Sequence, residues 1–318
     1  MLMEEGRSLE KTQTANFTMA GEDGRQLFVY RWLPEAPKAA VQIAHGLAEH
    51  AGRYGRLAGV LNAAGYAVYA GDHRGHGLTA QSPEDLGFLA EHRGWRKCLD
   101  DLWSVNRHVA LEHPGLPVFL FGHSMGSTLA MQFISEHGES LAGVALSGAS
   151  GKPTMLAEAG RLITRLERLR LGRRGKSELV QSLSFDAFNK RFEPAQTKFD
   201  WLSRDPAEVD KYVADTLCGF PASVQLWIDL LDGWTRASSP ASCRYIPKKL
   251  PIYFISGTHD PVSAGTRALK PLLAEWRAAG LNVEHRFYPE ARHELFNETN
   301  REEVTRDLVE WLEKTLSG

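Results

Sequence analysis

The chain alternates strand-sized runs with helix-patterned segments, and it breaks that alternation once. Strands are predicted over residues 39–44, 66–70, 117–121, 142–147, 251–256 and 283–288, and helices over 54–64, 95–111, 125–136, 266–279 and 301–316. Runs such as Ala39-Ala40-Val41-Gln42-Ile43-Ala44 suit strands covered on both faces. Strands joined through helices pair in parallel by right-handed crossovers, so the expected fold class is α/β, with a mostly parallel central sheet flanked by helices. A hairpin over 17–20 and 26–33, turning at Gly21-Glu22-Asp23-Gly24, opens the sheet. From 151 to 242 the pattern is helix-rich and offers no strand. The expected organisation is therefore a loose tail over 1–16, a split core over 17–150 and 243–318, and an inserted helical cap over 151–242.

Phe121-Gly122-His123-Ser124-Met125-Gly126 fits G-x-S-x-G and stands straight after a predicted strand and straight before a predicted helix. In that setting the glycines permit a sharp turn that lifts a serine hydroxyl above the sheet. A serine hydroxyl is a weak nucleophile at neutral pH, so it needs a histidine to take its proton and a carboxylate to orient that histidine. In this strand-turn-helix context the chain order is Ser, then Asp or Glu, then His. His293, in Pro289-Glu290-Ala291-Arg292-His293, follows the last strand at its carboxyl end, where open α/β sheets place their sites. His137 closes the helix behind Ser124, His285 lies inside a strand, and His259 is a loop residue beside Asp260. Asp260, in Gly257-Thr258-His259-Asp260-Pro261, follows the preceding strand; Glu290 and Glu294 crowd His293 too closely to orient it. Ser124, Asp260 and His293 are the expected catalytic set.

A tetrahedral intermediate needs donors for its oxyanion. The backbone N–H of Met125 begins a helix, where amide dipoles favour negative charge, and the Leu47 N–H in His45-Gly46-Leu47-Ala48-Glu49-His50 lies in the loop after strand 39–44. Glu49 and His50 are read as anchors of that loop. His73 and His76, in a glycine-rich turn, lack a third ligand and read as structural.

Composition narrows the remaining classes. Lys and Arg number 37 against 39 Asp and Glu, a formal charge of -2, which offers no field for a nucleic acid. No apolar run approaches the roughly 20 residues of a membrane span, so membrane contact is at most peripheral. The polar start lacks a secretory pattern, and three well-separated cysteines, Cys98, Cys218 and Cys243, match neither a metal site nor a full disulfide framework. A reducing, cytoplasmic setting is expected, with neither a metal nor an organic cofactor.

Taken together, His45-Gly46-Leu47-Ala48-Glu49-His50 with Arg53-Tyr54, Asp72-His73-Arg74-Gly75-His76-Gly77, Gly122-His123-Ser124-Met125-Gly126, Asp260 and His293 resemble the monoacylglycerol lipase and lysophospholipase-like branch of the α/β-hydrolases. The resemblance implies an α/β-hydrolase fold, a triad of Ser124, Asp260 and His293, oxyanion donors at Leu47 and Met125, and an insertion that serves as a lid over an acyl-chain channel. Ala48 stands where that family more often has Gly, and Ser127 where a third Gly is common.

Within the cap, Leu156, Ala159, Leu162, Ile163, Leu166 and Leu169 recur at helical steps over 154–171, interleaved with Arg161, Arg165, Arg168 and Arg170 and followed by Arg173, Arg174 and Lys176. The ordinary expectation is an apolar face packed on the core and an arginine face in water. A basic amphipathic helix on a lid also suits an anionic membrane surface or a phosphate head group. Asp205-Pro206-Ala207-Glu208 reads as a helix start, and Val224, Trp227, Leu230, Leu231 and Trp234 form a second apolar stripe compatible with core packing or with an acyl ester. The expected function is a serine hydrolase of small-molecule carboxylic esters, of monoacylglycerol or lysophospholipid type, acting through an acyl-enzyme. A proline-type aminopeptidase shares this constellation and would use Asp200, Asp205, Glu208 or Asp210 for a substrate amine; a non-catalytic binding homologue is the other alternative. Oligomeric state is not legible.

Overall fold

The computed structural model describes residues 13–153 and 155–318; residues 1–12 of the expected tail, Thr154 and the side chains of Gln13, Thr14 and Leu156 lie outside the described residues. Among the described residues nine strands form one sheet: β1 (Gln13–Thr14), β2 (Phe17–Ala20), β3 (Gln26–Leu33), β4 (Ala39–Ala44), β5 (Tyr66–Gly71), β6 (Val118–His123), β7 (Gly143–Ser147), β8 (Ile252–Gly257) and β9 (Val283–Tyr288). Their order is β1-β3-β5-β4-β6-β7-β8-β9, with β2 also on β3. β3 meets β5 antiparallel, and every pairing from β5 to β9 is parallel. The mostly parallel sheet follows from the alternation in the sequence.

The helices are α1 (Gly55–Ala63), α2 (Gly94–Glu112), α3 (Met125–His137), α4 (Met155–Leu171), α5 (Glu178–Gln181), α6 (Ala187–Asn189), α7 (Pro206–Ala214), α8 (Val224–Ala237), α9 (Pro240–Cys243), α10 (Leu269–Ala278) and α11 (Arg301–Ser317). Two buried clusters lie on opposite faces of the sheet. Leu102, Leu129, Phe133 and Trp276 from α2, α3 and α10 fill one; Leu57, Leu61, Leu308 and Trp311 from α1 and α11 fill the other. β4 serves both, with Ala40 and Ala44 in the first and Val41 and Ile43 in the second. Continuous apolar strands are what a sheet covered on both faces requires.

The chain runs from β4 to β5 on one side and returns to place β6 on the other side of β4, so the winding reverses between β4 and β6. At that reversal the carboxyl ends of two adjacent strands diverge and leave a crevice. Ala44 pairs in register with Gly122 there, which brings the loop after β4 beside Ser124.

Three expectations need correction. Gln13–Thr14, assigned to the tail, pairs antiparallel with Leu33 and Trp32; an edge strand needs only backbone bonds and leaves no apolar signature. The helix expected over 266–279 begins at Leu269, because Ala264, Gly265 and Thr266 all take positive φ, which no α-helix continues. The third concerns α4, whose apolar ridge faces solvent: Met155, Leu162, Leu166 and Leu169 are 91%, 62%, 57% and 80% exposed. Its inner face carries Ile163 among small and polar residues. Thr164 and Glu167 are buried, Arg161 Nε donates to Asp232 Oδ1 on α8 (3.0 Å), and Arg168 Nη1 donates to Gln225 Oε1 (3.2 Å). Arg165, Arg170 and Arg174 remain about half-exposed or more. No helix among the described residues is long and apolar enough to cross a membrane.

Candidate active site

Ser124 is the residue between β6 and α3, at φ 53 and ψ -115. A non-glycine residue in this region is strained and persists only where its surroundings fix it. The Ser124 N–H donates to the Ser147 carbonyl at the end of β7 (2.9 Å), and the Ser124 carbonyl accepts from the amides of Ser127 (3.0 Å) and Thr128 (3.2 Å). Ser127 Oγ adds a bond to the same carbonyl (2.6 Å), so the serine that replaces a customary glycine reinforces the turn. A Cβ at Gly122 would lie 2.5 Å from the Gly126 carbonyl oxygen, and one at Gly126 would collide with the Ala44 carbonyl. The turn therefore needs both glycines.

His293 and Asp260 are almost fully buried, at 2% and 0% exposure, and His293 Nδ1 lies 3.0 Å from Asp260 Oδ1. Asp260 Oδ1 also accepts the Val262 N–H (2.9 Å), which locks the loop after β8. Burial pushes the His293 pKa down, but the charge and hydrogen bond of Asp260, with Glu294 and Glu49 behind them, leave it raised above the ordinary 6.5. The structure brings His293 to Asp260 by a hydrogen bond and packs it beside His123 and Gly148. The His293 ring lies 4.7 Å from that of His123, the residue before Ser124, and a Cβ at Gly148 would sit 2.8 Å from His293 Cε1. His259 is exposed, His285 is exposed on β9, and His137 stacks on Trp103 at 4.1 Å. Glu290 is exposed, and Glu294 is engaged by Arg53.

Leu47 and Met125 line the same cavity as Ser124. Met125 is the first residue of α3, so its N–H has no carbonyl of its own helix to meet. The loop carrying Leu47 is braced from below: Glu49 Oε1 accepts from the Gly46 N–H (2.6 Å) and from Tyr54 Oη (2.9 Å), and Arg53 bridges Glu49 (2.6 Å) and Glu294 (2.6 and 2.7 Å). Arg53 holds the Glu294 carboxyl well below its ordinary range against the opposing effect of burial. Under the same loop lie the buried rings of His45, His73 and His76. His45 Nε2 accepts the His73 N–H (2.9 Å), and His73 Nε2 donates to the His45 carbonyl (3.1 Å). This is the structural turn expected for the Asp72–Gly77 motif.

His50 Nε2, Asp215 Oδ2 and Cys218 Sγ lie within 4.8 Å of one another, a spacing a metal ion could use. His50 Nδ1 accepts the Gly52 N–H (3.2 Å), so Nε2 carries the proton and donates it to Asp215 (2.9 Å). That tautomer makes the group a hydrogen-bonded tie and leaves Nε2 without a lone pair for a metal.

The cavity holding Ser124 measures about 420 Å³. Residues on the insertion side, among them Ile163, Val180, Phe185, Trp201, Trp227, Leu231 and Trp234, make it strongly apolar; Lys152, paired with Glu275, is the one charged side chain among its described lining residues. Within the second apolar stripe, Trp227 and Leu230 pack on the core and line the cavity at once, Leu231 and Trp234 line the cavity, and Val224 is fully buried. Trp201 also reaches His293, at 5.0 Å between rings, while the amides of His293 and Glu294 donate to the carbonyls of Trp201 (3.4 Å) and Leu202 (2.7 Å). His123, the Arg53 ion cluster and Trp201 were not singled out from sequence. Only the Arg53-Tyr54 pair next to Glu49 pointed toward them.

A strained serine between a parallel strand and a helix, at the reversal of the sheet and followed by a buried Asp–His pair on later strand ends, defines an α/β-hydrolase. The chain belongs to the family described as serine aminopeptidase, S33, which matches residues 35–300. It is 30% identical over 305 residues to a monoacylglycerol lipase of Mycolicibacterium smegmatis, covering 93% of this chain and 95% of that protein. It is 31% identical over 295 residues to the human monoglyceride lipase, covering 89% and 88%. Among solved structures, a thermostable carboxyl esterase from Bacillus coagulans in complex with glycerol is similar at a TM-score of 0.88 and 26% identity, over 96% of this chain and 99% of that one.

Proposed function

We propose that the protein hydrolyses carboxylic esters of lipid-like monoacyl type, monoacylglycerols or lysophospholipids, by way of an acyl-enzyme on Ser124. The observation that carries this reading is the opening of the strained Ser124 turn into an apolar cavity of about 420 Å³, within the roughly 300–1,000 Å³ of small-ligand sites. The two lipase relatives support it. Ser124 Oγ attacks the ester carbonyl and passes its proton to His293 Nε2, while Asp260 fixes the Nδ1–H tautomer and stabilises the imidazolium. The Leu47 and Met125 amides receive the oxyanion. His293 then protonates the departing alcohol oxygen, and water, deprotonated by the same imidazole, releases the acid.

The aminopeptidase alternative needs a carboxylate facing the cavity. Asp200 accepts from the Gln196 and Thr197 amides, Asp205 caps α7 and pairs with Arg301, Glu208 pairs with Arg56 and Lys211, and Asp210 is exposed; none lines the cavity. Side-by-side rates on a monoacylglycerol series and a prolyl amide test the choice. Ester turnover that rises with acyl length and vanishes in Ser124→Ala is expected; amide turnover without ester turnover, or binding without turnover of either, would overturn it.

The insertion acts as a lid, and its outer helix α4 meets an anionic lipid surface. Leu162, Leu166 and Leu169 supply the apolar ridge, with Arg165, Arg170, Arg174 and Lys176 beside it. The three cysteines are free and buried, which suits a reducing, cytoplasmic setting with peripheral contact to the membrane.

A further inference from the structure

Ala48, the residue after Leu47, is fully buried at φ 59. An alanine there pays the left-handed Cβ penalty that glycine escapes, so something outside the residue must hold it. The Ala48 carbonyl accepts two hydrogen bonds, and both come from the insertion: Tyr212 Oη at 2.7 Å and the Gly219 N–H at 2.9 Å. The His50–Asp215 bond adds a third tie from the same short segment. On the other side of Leu47, the Gly46 N–H is held by Glu49 from the core. Leu47 thus sits between one fixed peptide clasped by the core and another clasped by the insertion.

We propose that Tyr212 is a positioning residue for the oxyanion loop: its hydroxyl keeps Ala48 in the left-handed conformation and so keeps the Leu47 N–H directed at the reacting carbonyl. The seating of the insertion is then coupled to catalysis through the oxyanion as well as through access to the cavity. This rests on the function proposed above. Tyr212 does not line the cavity; it packs on Phe199 (5.0 Å between rings) and under the Arg53 guanidinium (4.8 Å). A phenylalanine would keep both contacts and lose only the hydroxyl.

The test is a cycle of Tyr212→Phe, Ala48→Gly and the double variant on a soluble short-chain ester. Tyr212→Phe is expected to lower kcat about tenfold with KM within about twofold, less than the ~10²–10³ lost with a whole oxyanion donor. In the Ala48→Gly background, where positive φ needs no clasp, the same substitution should cost under about threefold. Equal losses in both backgrounds, or a loss confined to KM, would overturn the proposal. Hydrogen exchange over residues 46–50 gives a readout free of turnover: Tyr212→Phe should speed it, and unchanged exchange would also overturn the proposal. Absence of ester turnover in the unaltered protein would instead count against the ester-hydrolase reading.

Discussion

Residues 199–219 and helix α4 belong to the same insertion, yet they meet the rest of the molecule in opposite ways. The first segment is tied to the loops that carry His293 and Leu47: Trp201 and Leu202 accept from His293 and Glu294, Arg204 Nε donates to the buried Glu298 (2.8 Å), Arg292 donates to the carbonyls of Asp200 and Ser203, and Tyr212 and Gly219 hold Ala48. Helix α4 turns Leu162, Leu166 and Leu169 to water and faces the cavity with Ala157, Gly160, Ile163 and Thr164. One segment works as a strut and the other as a cover. Their difference shows that a helix-rich insertion need not behave as one part: the first segment cannot leave without breaking its bonds to the loops of His293 and Ala48.

The largest effects belong to the core end of the strut. Asp260→Asn should lower kcat by about 10⁴-fold, through loss of the His293 tautomer, with the fold intact by circular dichroism. Because His293 must be neutral to accept a proton and its pKa is raised, kcat/KM in the unaltered protein should climb with pH through a midpoint above 6.5. A midpoint below 6.5 would detach Asp260 from His293.

Next comes Arg53→Met, which leaves Glu49 and Glu294 buried without their cation. A loss of about 3–5 kcal/mol in denaturant unfolding is expected. A loss under about 1 kcal/mol would mean that the ion cluster under the oxyanion loop is not a structural tie.

Acid should act on the same region. Burial, together for His73 with the charge of His76, pushes the His73 pKa down to about 3, and burial pushes that of His76 down to about 4. Both fall below the ordinary 6.5, so the unfolded chain binds these protons first. Their contribution is present above pH 6.5 and is lost as pH falls from there toward 3. Unfolding midpoints should drop across that window, and a flat profile would place water or a counter-ion beside these rings.

The smallest effect on the folded chain is expected at the cover. Replacing Leu162, Leu166 and Leu169 together by Ser should change stability by less than about 0.5 kcal/mol per site, since exposed positions contribute little. It should leave turnover of a soluble ester unchanged and weaken binding to vesicles containing anionic lipid. Unchanged vesicle binding would remove the membrane role from α4.

What could be read from sequence was the part determined locally or by burial. Strand boundaries fell within two residues of those observed, because strands covered on both faces are written as apolar runs. Ser124, Asp260 and His293 were legible as candidates because each stands at the carboxyl end of such a strand. The orientation of α4 could not be read. Periodicity reveals that a helix has an apolar side, but the side that turns inward was decided by Asp232 and Gln225 on α8, far along the chain. The Tyr212–Ala48 bond spans 164 residues and the Arg53–Glu294 pair 241, so no local pattern announces either.

The central claim is that Ser124 is the nucleophile. Treating the protein with a fluorophosphonate and locating the adduct by peptide mass spectrometry tests it directly. One adduct on Ser124, absent from Ser124→Ala and much slower to form in Asp260→Asn, is the predicted result. An adduct on any other serine, or none while esters are still cleaved, would contradict it.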